Sequence, residues 1–247
     1  MKGLQIRCIA IFVIMVGFGP KAVTQSLLVD STATPAVKNA LAFYNSTFAD
    51  QLHLYNGKEY KDYTHKFDSG LPYFIQSEWS NGTVDYDGNI YQDVPILYDV
   101  VAQQVIILNY NSASKIELLK EKIKAFSLSG HSFLNIPRDS LVSANLDGGF
   151  YDVLLNGKMV LLARRTKNIQ AVLRQAVEYR VYDKDHYYIK RDNKYFTVDS
   201  KKSFLEQFGN KRKEIQQYMK QNKLRFRKDP EQVMIKAVGF YNQTTHQ

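Results

Sequence analysis

The chain has 247 residues, 45% of them hydrophobic, and carries 33 Lys+Arg against 24 Asp+Glu for a formal net charge of +9. That composition excludes a disordered or fibrous polypeptide and allows one large domain or two small ones, each with its own core. Cys8 is the only cysteine, which excludes a disulfide framework and cysteine-ligated zinc.

The first 24 residues read as a cleavable secretory signal peptide. Lys2 and Arg7 give a positive start, no acid precedes Asp30, and residues 8–19 form an uninterrupted apolar run that Pro20 ends. The run is shorter than the roughly 20 residues that span a bilayer. Small residues at Ala22 and Thr24 predict cleavage after Thr24. Cys8 stands at the beginning of the apolar run, not at its end, so it does not fit a lipid-attachment site. The expected mature chain is exported, free of cysteine and without a transmembrane span.

Residues 25–38 are small and polar and read as a loose N-terminus. Val37, Ala40, Leu41 and Tyr44 lie at helical spacing and predict a short amphipathic helix over 36–49. From Leu52 onward the pattern becomes short strands, in keeping with 17 tyrosines and 14 phenylalanines, which favour sheets. Asn56-Gly57, Asn81-Gly82, Asp87-Gly88 and Asn156-Gly157 accept the positive φ angles of tight hairpins, and Asp192-Asn193 is a weaker fifth signal. Residues 96–108 are rich in Val and Ile and read as two strands interrupted at Tyr98-Asp99 and Gln103-Gln104. Residues 114–125 fit either a helix or two short strands, and residues 137–149 read as a loop.

The C-terminal quarter predicts three helices. Asp199 or Ser200 caps the first, which carries Phe204, Leu205 and Phe208 and ends at Gly209. Asn210 caps a second with Ile215, Tyr218 and Met219 on one face, and Asn222 is its expected left-handed stop. Asp229-Pro230-Glu231 starts the third with a capping carboxylate, a proline at the first helical position and an acid in the first turn. Its apolar stripe is Val233, Ala237 and Tyr241. The predicted fold is α+β: an antiparallel β-rich meander over 25–198, as a sandwich or half-barrel, followed by a basic three-helix tail over 199–247 packed on it.

Charge divides along the chain. Residues 25–149 hold 9 Lys+Arg and 14 Asp+Glu, whereas residues 150–247 hold 21 and 10. The second half therefore presents a positive field suited to acidic partners. Lys211, Arg212, Lys213, Lys220, Lys223, Arg225, Arg227 and Lys228 are the candidate binding residues. Lys211-Arg212-Lys213 opens a helix, where cations oppose the helix dipole, so the triplet serves a surface rather than the helix. Solubility alone is the competing reading of such a run.

No catalytic set emerges. Gly-x-Ser-x-Gly is absent, and Ser129-Gly130-His131-Ser132 reads as a turn between strands. The five histidines are scattered, without a metal-binding spacing. Asp183-Lys184-Asp185-His186 lacks the glycine and distal glutamate of a calcium loop and reads as a polar turn. Asp85 and Asp87 are the carboxylate pair that glycosidase chemistry would use, but Asp87 is also a turn residue. Trp79, Tyr86, Tyr91 and Tyr98 suit a core better than a sugar platform. No cofactor is expected.

Three blocks carry a resemblance. Trp79, Gly82-Thr83-Val84, Tyr86-Asp87-Gly88, Tyr91 and Tyr98-Asp99 form one. Gly149-Phe150-Tyr151-Asp152-Val153-Leu154 with Leu161-Leu162-Ala163-Arg164-Arg165 form a second, and the segments 200–205 and 223–229 a third. Together they resemble a family of uncharacterised secreted Bacteroidota proteins. The resemblance implies export from a Gram-negative cell to the periplasm or outer surface, and carries no activity with it. The expected function is a non-enzymatic envelope or surface protein that binds an acidic envelope protein, an anionic glycan or a lipid headgroup through its basic tail, with no nucleic acid expected. The alternatives are a secreted hydrolase acting on polysaccharide or peptidoglycan, and a lipid-carrying half-barrel.

Overall fold

Tight turns with both central residues at positive φ set the meander. In the computed structural model, which describes residue 40 and residues 53–245 apart from 112 and 142–145, Asp87-Gly88 (φ 51° and 80°) joins strand β2 (Ser80–Tyr86) to β3 (Asn89–Asp99). Ser129-Gly130 (50° and 80°) joins β6 (Ile123–Leu128) to β7 (His131–Ile136), and Asp192-Asn193 (50° and 58°) joins β12 (His186–Arg191) to β13 (Lys194–Val198). These turns match the right-handed twist of the strands they connect. The signal peptide, the loose N-terminus and the helix over 36–49 lie outside the described residues, save residue 40.

The remaining strands are β1 (Lys58–Glu59), β4 (Gln104–Leu108), β5 (Lys115–Glu117), β8 (Gly149–Leu155), β9 (Val160–Arg164), β10 (Lys167–Leu173) and β11 (Val177–Asp183). Eleven of the thirteen strands among the described residues form one sheet in the order β1-β5-β4-β3-β2-β6-β7-β8-β9-β12-β13, and β10 and β11 form a separate two-stranded ribbon. Among the described residues, every pair of neighbouring strands is antiparallel. The ambiguous stretch over 114–125 is resolved as β5, a 3-10 turn at Lys120–Lys122 and the start of β6.

The sheet is coiled. Tyr98 on β3 and Phe150 on β8 are separated by β2, β6 and β7, which in a flat sheet places them roughly 19 Å apart. Their ring centroids lie 5.8 Å apart, and Phe126 and Phe133 fill the space between them, stacked at 4.6 Å. The inner trough thus closes over one aromatic core, which also buries Val84, Tyr86, Ile96, Val105 and Ile107. One continuous coiled sheet, not two stacked ones, is the half-barrel form of the expected meander.

Three helices, α1 (Lys201–Glu206), α2 (Arg212–Gln221) and α3 (Pro230–Thr244), pack on the β9, β12 and β13 end of the sheet. Their apolar residues Phe204, Phe208, Ile215, Met219, Val233, Met234, Ala237 and Val238 form a second core with Leu161, Ile189 and Val198. Ser200 caps α1 through a reciprocal bond with Ser203, and Asp229 caps α3 by accepting from the Gln232 amide at 3.1 Å. None of the helices among the described residues is long and apolar enough to cross a membrane. At the far end of α3, the buried Asn242 side chain both donates to and accepts from the Met159 backbone at 2.9 Å, completing the edge of the β8–β9 turn. Gly157 lies so close to Asn242 that a Cβ would meet its amide at 2.3 Å.

Several local expectations are corrected. Asn81-Gly82 lies inside β2, not in a turn: Gly82 is there because Ser127 of β6 approaches to 2.0 Å from where a Cβ would sit. Asn56-Gly57 follows a 3-10 turn, and β1 pairs with the distant β5, so no hairpin forms there. Tyr98 and Asp99 belong to β3, and the break falls later, at residues 100–103, with Gln103 at φ 57°. Asn210 sits within a 3-10 turn, not at a helix cap. The left-handed residue after α2 is Lys223 (φ 54°), one residue beyond Asn222.

The Asn242 contact generates a prediction. Asn242→Ala leaves a buried amide and a buried carbonyl of Met159 unpaired, and is expected to lower unfolding stability by about 2 kcal/mol. Urea titration should show a lower midpoint with an unchanged slope.

Candidate anion-binding site

The site is built on the helical tail, and the tail is fixed to the sheet by an ionic cluster. Register places Phe133, Asp152, Ala163, Tyr187 and Val198 opposite one another across β7, β8, β9, β12 and β13, so all five face the same side. Strand alternation adds His131, two residues before Phe133, and Arg165, two after Ala163. Arg165 is 8% exposed. It donates to Asp152 from Nε at 3.0 Å and from Nη2 at 2.7 Å, to Asp185 from Nη1 at 2.6 Å, and to both oxygens of Glu231 at 2.6 and 3.1 Å. The Tyr187 hydroxyl donates to Glu231 at 3.0 Å, and Gln103 donates to the Arg165 carbonyl. Glu231 stands in the first turn of α3, where a carboxylate also complements the helix dipole.

One guanidinium therefore joins the inner face of the sheet, the β11–β12 link and the start of α3. It stands between the aromatic core and the helical core, where a continuous apolar seam would otherwise run. Burial by itself lowers the Arg165 pKa. The bond to Glu231, the charge of Asp152 and the bond to Asp185 more than offset this, and the group is held above its ordinary value. His131 Nδ1 lies 2.8 Å from Asp152 Oδ2, and its ring meets Phe74 edge-on at 5.0 Å. The bond to Asp152 raises the His131 pKa; partial burial opposes this, Asp152's charge adds to it, Arg165 lowers it and Glu231 raises it.

A second buried carboxylate, Asp99, stands apart from this cluster. Its Oδ2 accepts from the Tyr60 and Tyr63 hydroxyls at 2.9 Å each, and its Oδ1 accepts from the Ala102 amide at 2.9 Å. Burial is the main cause that raises both tyrosine pKa values; the bond with Tyr73 and then Asp99 add to it at Tyr60, and Asp99 adds to it at Tyr63. The group is a satisfied tie between the N-terminal segment and β3.

With α3 fixed by its first turn, the chain leaving α2 forms a groove beside it. The Lys223 amide donates to Lys220 and the Leu224 amide to Met219 at 2.9 Å, the paired bonds of a left-handed helix terminus. Leu224 then packs with the helical core, and Arg225 to Asp229 turn back into α3. The result is a concavity of about 260 Å³ lined by Lys223, Arg225, Lys228 and Lys236, with Leu224 and Val233 as its apolar floor and Asp229 as its one acid. None of these four cations has an ion-pair partner among the described residues.

The structure divides the eight candidate binding residues. Lys223, Arg225 and Lys228 converge on the groove. Arg227 points to a neighbouring cleft of about 390 Å³ lined also by Asp185, His186, Tyr187, Asp199 and Phe226. Lys211 is paired with Glu214 at 2.8 Å, while Arg212, Lys213 and Lys220 are exposed on α2 and line neither cavity. Lys236 was missed because it lies within the third helix, and only the docking of α3 brings it to the turn.

Asp85 pairs with Lys124 at 3.6 Å, and Asp87 pairs with Lys122 at 2.9 Å at an exposed turn. Tyr86 and Tyr98 are wholly buried and Tyr91 nearly so, whereas Trp79 packs in a separate cluster with Tyr60. Asp185 engages Arg165, as a turn residue before β12. Among the described residues no cluster of three or more His, Cys, Asp or Glu side chains is arranged to hold a metal ion. The ionic cluster had a sequence signal of its own: Asp152 and Arg165 share strand parity with Phe150 and Leu161, so charges stand where core residues are due. Comparison with protein-family models, curated proteins and solved structures returns no match.

The His131–Asp152 bond predicts a pH dependence. A raised folded-state pKa makes the contribution complete below the unfolded value of about 6.5 and removes it as pH rises through the folded value. Stability measured by denaturation across that window should fall with rising pH, and His131→Gln should flatten the fall.

Proposed function

We propose that this protein is an exported envelope or surface module that works by binding an anionic component through the groove at its α2–α3 turn. The single observation that carries the reading is the convergence of Lys223, Arg225, Lys228 and Lys236, unpaired, on one concave surface with an apolar floor. A surface charged only for solubility disperses its cations and intersperses acids. Here four cations meet around one acid, and that acid is already engaged in capping α3. Export rests on the apolar leader over residues 8–19 and its basic flank.

Lys223 sharpens the argument. It holds a left-handed backbone conformation (φ 54°) that glycine adopts freely and lysine does not. A lysine at that position puts an exposed cation on the lip of the groove against local conformational preference. Strain of this kind is the pattern that functional surfaces show. The groove's chemistry fits a phosphate or carboxylate group carried on a partly apolar body, as in a lipid headgroup, an anionic glycan or an acidic protein segment.

The test is binding to vesicles containing anionic lipid and to a sulfated polysaccharide, at rising salt. Each cation near an anionic surface contributes about 1 kcal/mol, so the triple substitution Lys223→Glu, Arg225→Glu, Lys228→Glu should weaken binding by at least ~100-fold. The control Lys201→Glu, Lys202→Glu, on exposed residues outside the groove, should have a small effect. Lys223→Gly should raise stability by up to about 1 kcal/mol while weakening binding. Salt-insensitive binding, or equal losses in control and groove variants, overturns the reading. Fractionation of the producing cells should place the leaderless chain outside the cytoplasm.

A further inference from the structure

The β10–β11 ribbon is where the fold leaves a pairing surface open. Its turn at Arg174–Ala176 is closed by the Arg174 amide donating to Ala176, and its base by the Lys184 amide donating to Thr166. These bonds set the alternation: Asn168, Gln170 and Val172 exchange hydrogen bonds with β11, and Lys167, Ile169, Ala171 and Leu173 turn their backbone groups outward. On β11 the middle outward residues are used, since the Asp68 amide donates to Tyr179 and the Val181 amide to Ser69. On β10, none of the four outward residues has a backbone partner beyond the ribbon among the described residues.

The edge lacks the usual protection against pairing. It holds no proline and no bulge, and its one charge, Lys167, is at the base and engaged with Asp183 and the Leu71 carbonyl. Leu173 is 81% exposed and Val177 51%, and with Tyr182 and the nearby Leu71 they make four of the eight large exposed hydrophobic residues among those described.

We infer that the outer edge of β10 pairs antiparallel with β10 of a second copy of this chain, with the twofold axis at Gln170. In that register Lys167 faces Leu173, Ile169 faces Ala171, and Gln170 faces itself. All four outward residues of each strand then find partners, and no two like charges meet. The parity is consistent, because outward residues pair with outward residues and Gln170 forms a non-hydrogen-bonded pair. Charge selects this surface for self-association: the whole chain carries +9, yet residues 167–183 carry three cations against two acids. The arrangement is isologous and closes as a dimer.

Sedimentation equilibrium at micromolar concentration should give the mass of a dimer. Ala171→Pro removes an outward N–H that the ribbon itself does not use, and should halve the mass while leaving circular dichroism and melting unchanged. In a Cys8→Ser background, Gln170→Cys should cross-link between chains under mild oxidation, because residues facing across such a pair lie about 4.5 Å apart at Cα. Ala176→Cys, far from the axis, should not. A monomeric parent chain overturns the inference, as does a dimer that survives Ala171→Pro and gives no Gln170→Cys cross-link.

Discussion

The Arg165 guanidinium and the carboxylates of Asp152, Asp185 and Glu231 form the joint on which the rest of the molecule depends. The inner face of the sheet passes from an aromatic core under β3, β2, β6, β7 and β8 to a helical core over β9, β12 and β13. A purely apolar seam would let the helices slide, because apolar contact has no direction. Hydrogen bonds to a planar guanidinium do have direction, and Arg165 uses Nε, Nη1 and Nη2 to fix three carboxylates from three parts of the chain. Removing one partner of such a buried set leaves uncompensated charge and typically costs about 3–5 kcal/mol, even where the intact set adds little net stability. The joint therefore acts through specificity of docking.

Docking matters because the groove exists only between elements. Lys223 and Arg225 leave α2, Lys228 precedes α3, and Lys236 lies two turns into it. The first turn of α3 is held by Glu231 and its last by Asn242 on the Met159 backbone. Held at both ends, the helix presents Lys236 and Val233 at a fixed distance from the turn. The sheet in turn can carry the helices at one end because its other end coils over Tyr98, Phe126, Phe133 and Phe150 and needs no further cover there.

Local chemistry was legible wherever one short segment decides the outcome. Asp87-Gly88 and Asp192-Asn193 form the positive-φ turns that their side chains favour, and Asp229-Pro230 starts α3 as a cap followed by proline should. The same logic misleads at Asn81-Gly82, where glycine answers a close approach by Ser127 from a strand more than forty residues away. It misses the β10–β11 ribbon, whose Arg174-Gln175-Ala176 turn contains no glycine, asparagine or aspartate. The ionic joint is least legible, since its members at 131, 152, 165, 185, 187 and 231 come together only in the folded chain. Arg164 and Arg165 show why: adjacent and identical in sequence, they fall on opposite faces of the strand end, one over the Tyr151 ring and the other at the buried joint.

Native-state hydrogen exchange of the Arg165→Met chain tests this account most directly. Without the guanidinium, the amides of α2 and α3 should lose protection while those of β2, β3, β6 and β7 keep theirs, because the helical core then opens apart from the aromatic one. An unchanged α3, or an equal loss of protection across helices and sheet, would show that Arg165 does not hold the tail on the sheet.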